Sequence, residues 1–377
     1  MSDATALPVA NRLPIVASDS SPSAARQESR AASHTTTQST NPTNTASGQL
    51  VDRFGRVHRS LRVSVIDACN IRCQYCMPAV GVQFLPRSLL LSFDHIERFV
   101  RTAVALGISK VRLTGGEPLL RPELHSLVAR LRAIDGLQQL ALTTNGMLLD
   151  NQIESLVSAG LQRINISLDT LSEPTFRQLT RREGLDRVLA GIEATRRFPQ
   201  LELRLNSLVL RDVNLDDIYD LVDFAQQRQC TLRFIEFMPL DSDRQWSQTR
   251  MVRGDELRCL LAERFGPLLR CAAVDPSQPS SDYQFANGGG RVGFIDSVSQ
   301  PFCAGCDRLR LTADGKLRNC LFGRDEWDVG EVLRKEPFDS RALQALLCAG
   351  TLAKHAAHGI DAPDFQPPER AMYQIGG

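Results

Sequence analysis

From Leu61 onward, short apolar or β-branched runs alternate with segments that repeat apolar residues at helical spacing. The run Arg62-Val63-Ser64-Val65-Ile66 predicts a first strand, and a cysteine-bearing loop follows it. Ser92 can cap a helix reaching Leu106, with Asp94 in its first turn and Gly107 as its stop. Further strands are predicted over 110–114, 139–144, 163–168, 201–208 and 231–238. The helices between and after them are predicted over 122–134, up to Gly160, over 185–197, over 214–228 and over 254–265. Strands separated by helices imply crossover connections and a parallel sheet. Six such units cannot close the usual eight-stranded barrel. The expected α/β fold is an open, partial (β/α)6 barrel, with a doubly wound sheet as the alternative. Either arrangement places chemistry at the C-terminal ends of the strands.

After about Leu269 the pattern changes. Short strands are predicted over 283–286, 291–295, 309–312 and 316–319, with turn chemistry at Asn287-Gly288-Gly289-Gly290 and Asp314-Gly315. A helix near 340–356 follows. Residues 1–50 differ again, with no cysteine, no aromatic residue, 16 Ser plus Thr, and three Arg against three acidic residues. Such a segment buries too little apolar surface to offset its ordering entropy. It also lacks the regions of a secretory signal. The expected organisation is a disordered leader over 1–50, a barrel over 51–269 and a smaller C-terminal domain over 270–377.

Across all 377 residues, 42% are hydrophobic, enough for a sizeable core. A net charge of +1 excludes a surface built to coat nucleic acid. No apolar stretch approaches the roughly 18 residues of a membrane span. Ten cysteines are too few for a disulfide scaffold and many for an ordinary cytosolic enzyme. Six of them form two triads, Cys69-x3-Cys73-x2-Cys76 and Cys303-x2-Cys306-x13-Cys320. Structural zinc wants four ligands, and no His lies between Cys69 and Phe93. Three thiolates can hold three corners of a [4Fe–4S] cube and leave one iron open. On spacing alone, zinc with a distant ligand or plain buried thiols are the alternatives. Cys230, Cys259, Cys271 and Cys348 fit no cluster spacing and read as small buried apolar residues.

The run Asp67-Ala68-Cys69-Asn70-Ile71-Arg72-Cys73-Gln74-Tyr75-Cys76-Met77-Pro78 resembles the signature loop of radical S-adenosylmethionine (SAM) enzymes. Leu113-Thr114-Gly115-Gly116-Glu117-Pro118 adds a second feature of that family. Its glycines let the backbone approach a ligand, and Glu117 can accept from an ammonium group. Phe302-Cys303-Ala304-Gly305-Cys306-Asp307-Arg308-Leu309-Arg310-Leu311-Thr312, with Cys320, resembles the C-terminal motif of the GTP 3′,8-cyclase family. That family opens molybdenum cofactor biosynthesis. Arg233-Phe234-Ile235-Glu236-Phe237-Met238-Pro239 and the Gly376-Gly377 end match it as well. The resemblance covers residues 51–377, and two residues depart from the pattern. Ala68 stands where the family usually has Arg, and Arg204 where it usually has Lys.

The resemblance implies two [4Fe–4S] clusters, held by Cys69, Cys73 and Cys76 and by Cys303, Cys306 and Cys320. It implies SAM at Tyr75, Gly116, Ser167 and Met238. GTP is expected at Arg62, Arg112, Thr143, Arg204, Arg308, Leu309 and Arg310, with the guanine edge on the open iron of the second cluster. Catalytic parts fall to Arg62, Arg310, Gly376 and Gly377. In the family, a 5′-deoxyadenosyl radical takes the 3′ hydrogen of GTP, and C3′ then attacks C8. The implied partners are a flavodoxin- or ferredoxin-like electron donor and a downstream cyclic pyranopterin monophosphate synthase. Neither nucleic acid nor a membrane is expected, a homodimer is compatible, and the implied location is the cytoplasm. A peptide-modifying radical SAM maturase with an auxiliary cluster, or a zinc-stabilised binding protein, is the alternative.

Overall fold

Six strands run parallel and neighbour one another in chain order. They are β1 (Ser60–Ser64), β2 (Lys110–Thr114), β3 (Gln139–Thr144), β4 (Arg163–Ser167), β5 (Glu202–Leu208) and β6 (Thr231–Ile235). This order favours the partial barrel over the doubly wound sheet, in which the strand order reverses. The computed structural model describes residues 48–273 and 275–376. The expected leader falls on 1–47, outside the described residues, except for its last three positions. Of these, Leu50 is buried in the core and belongs to the folded unit.

Helices join the strands: α1 (Phe93–Ala105), α2 (Leu124–Arg132), α3 (Ile153–Ser158), α4 (Glu173–Thr180), α5 (Leu185–Thr195), α6 (Ile218–Gln227) and α7 (Gly254–Phe265). Ser92 caps α1 as expected, accepting from the His95 amide. The short α4 was not expected. Ser172 caps it and Pro174 sits in its first turn. One face of each strand packs under these helices: Val63, Leu113, Leu142, Ile166, Leu205 and Phe234 are all buried. They meet Phe99 and Val100 of α1, Leu131 of α2 and Ile192 of α5 in one continuous core. Burial of each such side chain contributes roughly 1.5–3 kcal/mol.

The remaining strands are β7 (Leu268–Arg270), β8 (Ser281–Phe285), β9 (Arg291–Ile295), β10 (Arg308–Leu311), β11 (Lys316–Arg318) and β12 (Trp327–Asp328). Helices α8 (Val329–Arg334), α9 (Ser340–Leu352) and α10 (Met372–Ile375) complete the chain. These strands extend the first sheet at both ends, with β9 parallel to β6 and β10 parallel to β1. The described residues accordingly belong to one compact unit, and the expected boundary at 269 falls inside β7. Among the described residues, no helix is long and apolar enough to cross a membrane.

Candidate active site

The inner face of the sheet is polar where an ordinary parallel sheet is apolar. Arg62 and Ser64, Arg112 and Thr114, Thr143, Asn165 and Ser167, Arg204 and Asn206, and Arg233 follow the period of two along their strands. All but Ser64 line a cavity of about 860 Å³ that also reaches Cys69, Cys73, Cys76 and Tyr75. Polar residues on that face need a polar occupant.

Three arginines stand level across adjacent strands. Arg62 on β1 is in register with Arg310 on β10 and with Arg112 on β2. Arg310 donates to the Gly376 oxygen at 2.6 Å, and Arg112 to the Thr143 hydroxyl at 3.2 Å. Among the described residues none of the three has a carboxylate partner. Burial, then Arg308, lowers Arg62 to about 10. Burial and the neighbouring guanidiniums push Arg112 and Arg310 further down. The cavity leaves surface of Arg62 and Arg112 open, yet both lie deep enough to be poorly solvated. An anionic ligand would supply the missing counter-charge.

Arg204 differs from these three. Its guanidinium already engages Glu202, with Nε 2.6 Å from Oε1, and Arg163 shares the same carboxylate. Lys110 is likewise taken by Asp275. Arg308 lines the cavity, stacks over Phe302 at 4.5 Å and leaves Nε without a partner. Leu309 does not line the cavity. It alternates with Arg308 and Arg310, so its side chain lies in the core.

Around the first triad, loop geometry follows from buried polar bonds. The Gly116 amide donates to the Ile66 oxygen at 2.7 Å. A Cβ there would come within 2.3 Å of the Asp67 oxygen and 2.4 Å of the Ala68 oxygen, so only glycine fits. Arg72 and Gln74 donate their amides to the Thr180 and Leu179 oxygens at the end of α4. Asn145 reaches Asn70 at 2.7 Å and the Cys69 sulfur at 3.7 Å. Burial raises the Cys69 thiol to about 11 and the Cys76 thiol to about 12, and burial, then Asp169 and the nearby thiols, raise Cys73 further. A polynuclear iron–sulfur core would answer that cost, because it binds thiolates at separate irons. Among the described residues, no three His, Cys, Asp or Glu side chains converge on one metal ion.

Tyr75, Gly116, Ser167 and Met238 all line the cavity beside this loop. The Tyr75 hydroxyl donates to Asp169 at 2.5 Å, and Asp169 also accepts from the Leu208 amide at 2.8 Å. Burial lifts the Asp169 carboxyl to about 6 despite those donors. Glu117, expected to face an ammonium group, does not line the cavity. It is buried and accepts from Thr144 Oγ1 and the Asn145 amide, each at 2.7 Å, and from the Leu119 amide at 2.9 Å.

The second triad abuts the same cavity through Phe302, Asp307, Arg308 and Leu321. Cys303 and Cys306 precede β10, and Cys320 follows β11, which pairs antiparallel with β10. Burial would raise the Cys306 thiol, but Arg308 and Lys354 outweigh it and bring it to about 7. Of the four other cysteines, Cys230 and Cys348 pack on the core, whereas Cys259 is exposed, contrary to its expected burial. Gly377 lies outside the described residues. Asn165, Asn206, Asp169 and Arg233 were given no role from the sequence, although Arg233 lies in a run that matches the family and strand alternation marks all but Asp169.

Family models agree with this geometry. The Radical SAM superfamily model matches residues 63–225, and the Molybdenum Cofactor Synthesis C model matches 230–360. GTP 3′,8-cyclase of Rhodopirellula baltica is 48% identical over 332 residues, covering 87% of this chain and 92% of its own. The chain belongs to the GTP 3′,8-cyclase family. GTP 3′,8-cyclase of Rhodococcus opacus is 42% identical, covering 87% of this chain and 93% of its own. Among solved structures, Streptococcus suis SuiB bound to S-adenosylmethionine aligns with a TM-score of 0.52 at 15% identity. That alignment covers 75% of this chain and 67% of SuiB, and it shows the shared radical SAM fold.

Proposed function

We infer that this cavity binds GTP beside SAM and that the chain converts GTP to (8S)-3′,8-cyclo-7,8-dihydroguanosine 5′-triphosphate. This is the first step of molybdenum cofactor biosynthesis. The observation that carries the reading is the level row of Arg310, Arg62 and Arg112, which lack carboxylate partners among the described residues. Their guanidiniums suit a triphosphate through paired donors. Arg308 adds charge at the same mouth, and Thr143 holds Arg112 in place.

The first triad and the cavity around Tyr75, Gly116, Ser167 and Met238 fit a cluster and SAM, which together supply one-electron cleavage and hydrogen abstraction at the ribose. The chain's own part is to bind, orient and exclude water. Cys303, Cys306 and Cys320 are proposed to hold a second [4Fe–4S] cluster next to the guanine. Three soft thiols, each next in sequence to a residue that lines the cavity, support that assignment. Such open sites need a reducing compartment, so the proposed location is the cytoplasm, with electrons from a flavodoxin- or ferredoxin-like protein. The product would pass to cyclic pyranopterin monophosphate synthase.

Anaerobic incubation of the reconstituted chain with GTP, SAM and a strong reductant tests this. GTP-dependent 5′-deoxyadenosine is expected, and Cys69→Ser should abolish it. Cleavage of SAM with GTP left intact would overturn the assignment of substrate.

A further inference from the structure

Lys354 lies just beyond α9 and is 3% exposed. Among the described residues, the lysine ion pairs are those of Lys110 and Lys316. Lys354 makes none. Its ammonium instead donates to the Arg308 main-chain oxygen at 2.9 Å and to the Asn319 oxygen. Arg308 lies two residues after Cys306, and Asn319 immediately precedes Cys320. One buried cation therefore ties together the two chain segments that carry these cysteines.

The neighbours leave that charge unanswered. Arg56 donates to the Cys303 oxygen at 2.7 Å, but Arg56 is already matched by Asp52 at 2.5 Å. His58 is buried, and burial followed by the charge of Lys354 lowers it to about 4, so it is neutral. Asp307 accepts from the Ser60 hydroxyl on Oδ2 at 2.7 Å and leaves Oδ1 without a partner, and among the described residues it forms no ion pair with Lys354. A buried ammonium without a counter-charge costs several kcal/mol. Three thiolates carrying an iron–sulfur core form an anion at this corner of the fold.

We propose that Lys354 is the internal counter-charge of an anionic cluster at Cys303, Cys306 and Cys320. It sets that cluster's reduction potential and holds β10 and β11 at the spacing of the ligands. This rests on the reading that the second triad holds a cluster. Reduction adds one negative charge to the cluster, and a nearby cation stabilises the reduced state more than the oxidised one. Lys354 is thus a positioning residue with an electrostatic signature.

The test uses the full chain with Cys69, Cys73 and Cys76 all changed to Ala, so that only the second triad can hold a cluster. This parent is reconstituted anaerobically, analysed for iron and sulfide, and titrated with the reduced signal followed by electron paramagnetic resonance. About four irons are expected. Adding Lys354→Met should move the midpoint to a more negative potential or empty the site. Lys354→Arg should return the midpoint, or the iron, toward the parent's. A Lys354→Met protein with the parent's midpoint and iron overturns the proposal, as does an iron loss that Lys354→Arg does not reverse. A parent without iron overturns the reading of the triad, and the proposal with it. That result is distinct from an unchanged midpoint.

Discussion

Arg310 on β10 donates from Nη1 to the main-chain oxygen of Gly376 at 2.6 Å, so the chain's end is fastened to the arginine row. Gly376 has φ +82°, and a Cβ there would meet Thr114 Oγ1 at 2.6 Å and Ser64 Cβ at 3.0 Å. The tail thus reaches the C-terminal ends of β1 and β2, where the fold places its chemistry.

Gly376→Ala should displace this tail without unfolding the sheet. GTP turnover is expected to fall about tenfold or more, the scale of a misplaced positioning group. Iron content and melting temperature should stay near those of the unchanged chain. Unaltered turnover in a steady-state assay would contradict a role for the docked tail.

Arg112→Met should separate stability from function. The native guanidinium is poorly solvated and faces Arg62 without a carboxylate partner. Its removal relieves repulsion and desolvation, so the ligand-free chain should melt at a higher temperature. GTP affinity should fall about 10- to 100-fold, as expected for one charge-assisted bond of roughly 1.5–3 kcal/mol. Calorimetric melting and equilibrium GTP binding measure the two effects on the same sample.

Much of this site was legible because its signals are local. The spacing of Cys69, Cys73 and Cys76 fits one short loop, and Lys110–Thr114 and Gly254–Phe265 form the expected elements at the expected bounds. What was not legible depends on partners far along the chain. Glu117 carries the right chemistry for an ammonium ligand, but Thr144 and Asn145 at the end of β3 claim its oxygens. Arg204 is the exception: its partner Glu202 lies two residues away on the same face of β5, a local pairing that strand alternation could have marked. Helix α4 spans only two turns, too few for an apolar period, although Ser172 and Pro174 mark its start. The level row of Arg310, Arg62 and Arg112 needs strand register, and β10 lies some 250 residues after β1 in the chain.

Asp169→Ala should loosen SAM rather than GTP. Asp169 fixes Tyr75 through the 2.5 Å bond and braces the Leu208 amide. Without it the Tyr75 ring loses its anchor at the proposed SAM site. KM for SAM is expected to rise about tenfold, from a lost bond worth roughly 1.5–3 kcal/mol. KM for GTP should hold. Equal losses for both substrates would point to general collapse of the cavity.

Two buried groups should give the apo chain opposite pH slopes in nearly the same window. Burial raises Glu117 to about 7 from an ordinary 4.5, so the folded state holds its proton where the unfolded state releases it. Stability from this group therefore falls as pH rises from about 4.5 to about 7. Burial lowers His58 to about 4 from an ordinary 6.5, so the unfolded state binds the proton first. Stability from this group is full above about 6.5 and is lost as pH falls toward about 4. Each effect is on the order of 1–3 kcal/mol at the far end of its window. In the unchanged chain the two slopes oppose each other, and Asp169, raised to about 6, adds to the falling one. Urea unfolding of Glu117→Gln across this range should shift the slope toward stability that climbs with pH, because the falling contribution of Glu117 is gone while Asp169, raised to about 6, still opposes His58. The same series on His58→Asn should reveal stability that declines with pH. Parallel curves for both variants would show that neither group keeps its buried protonation state in the fold.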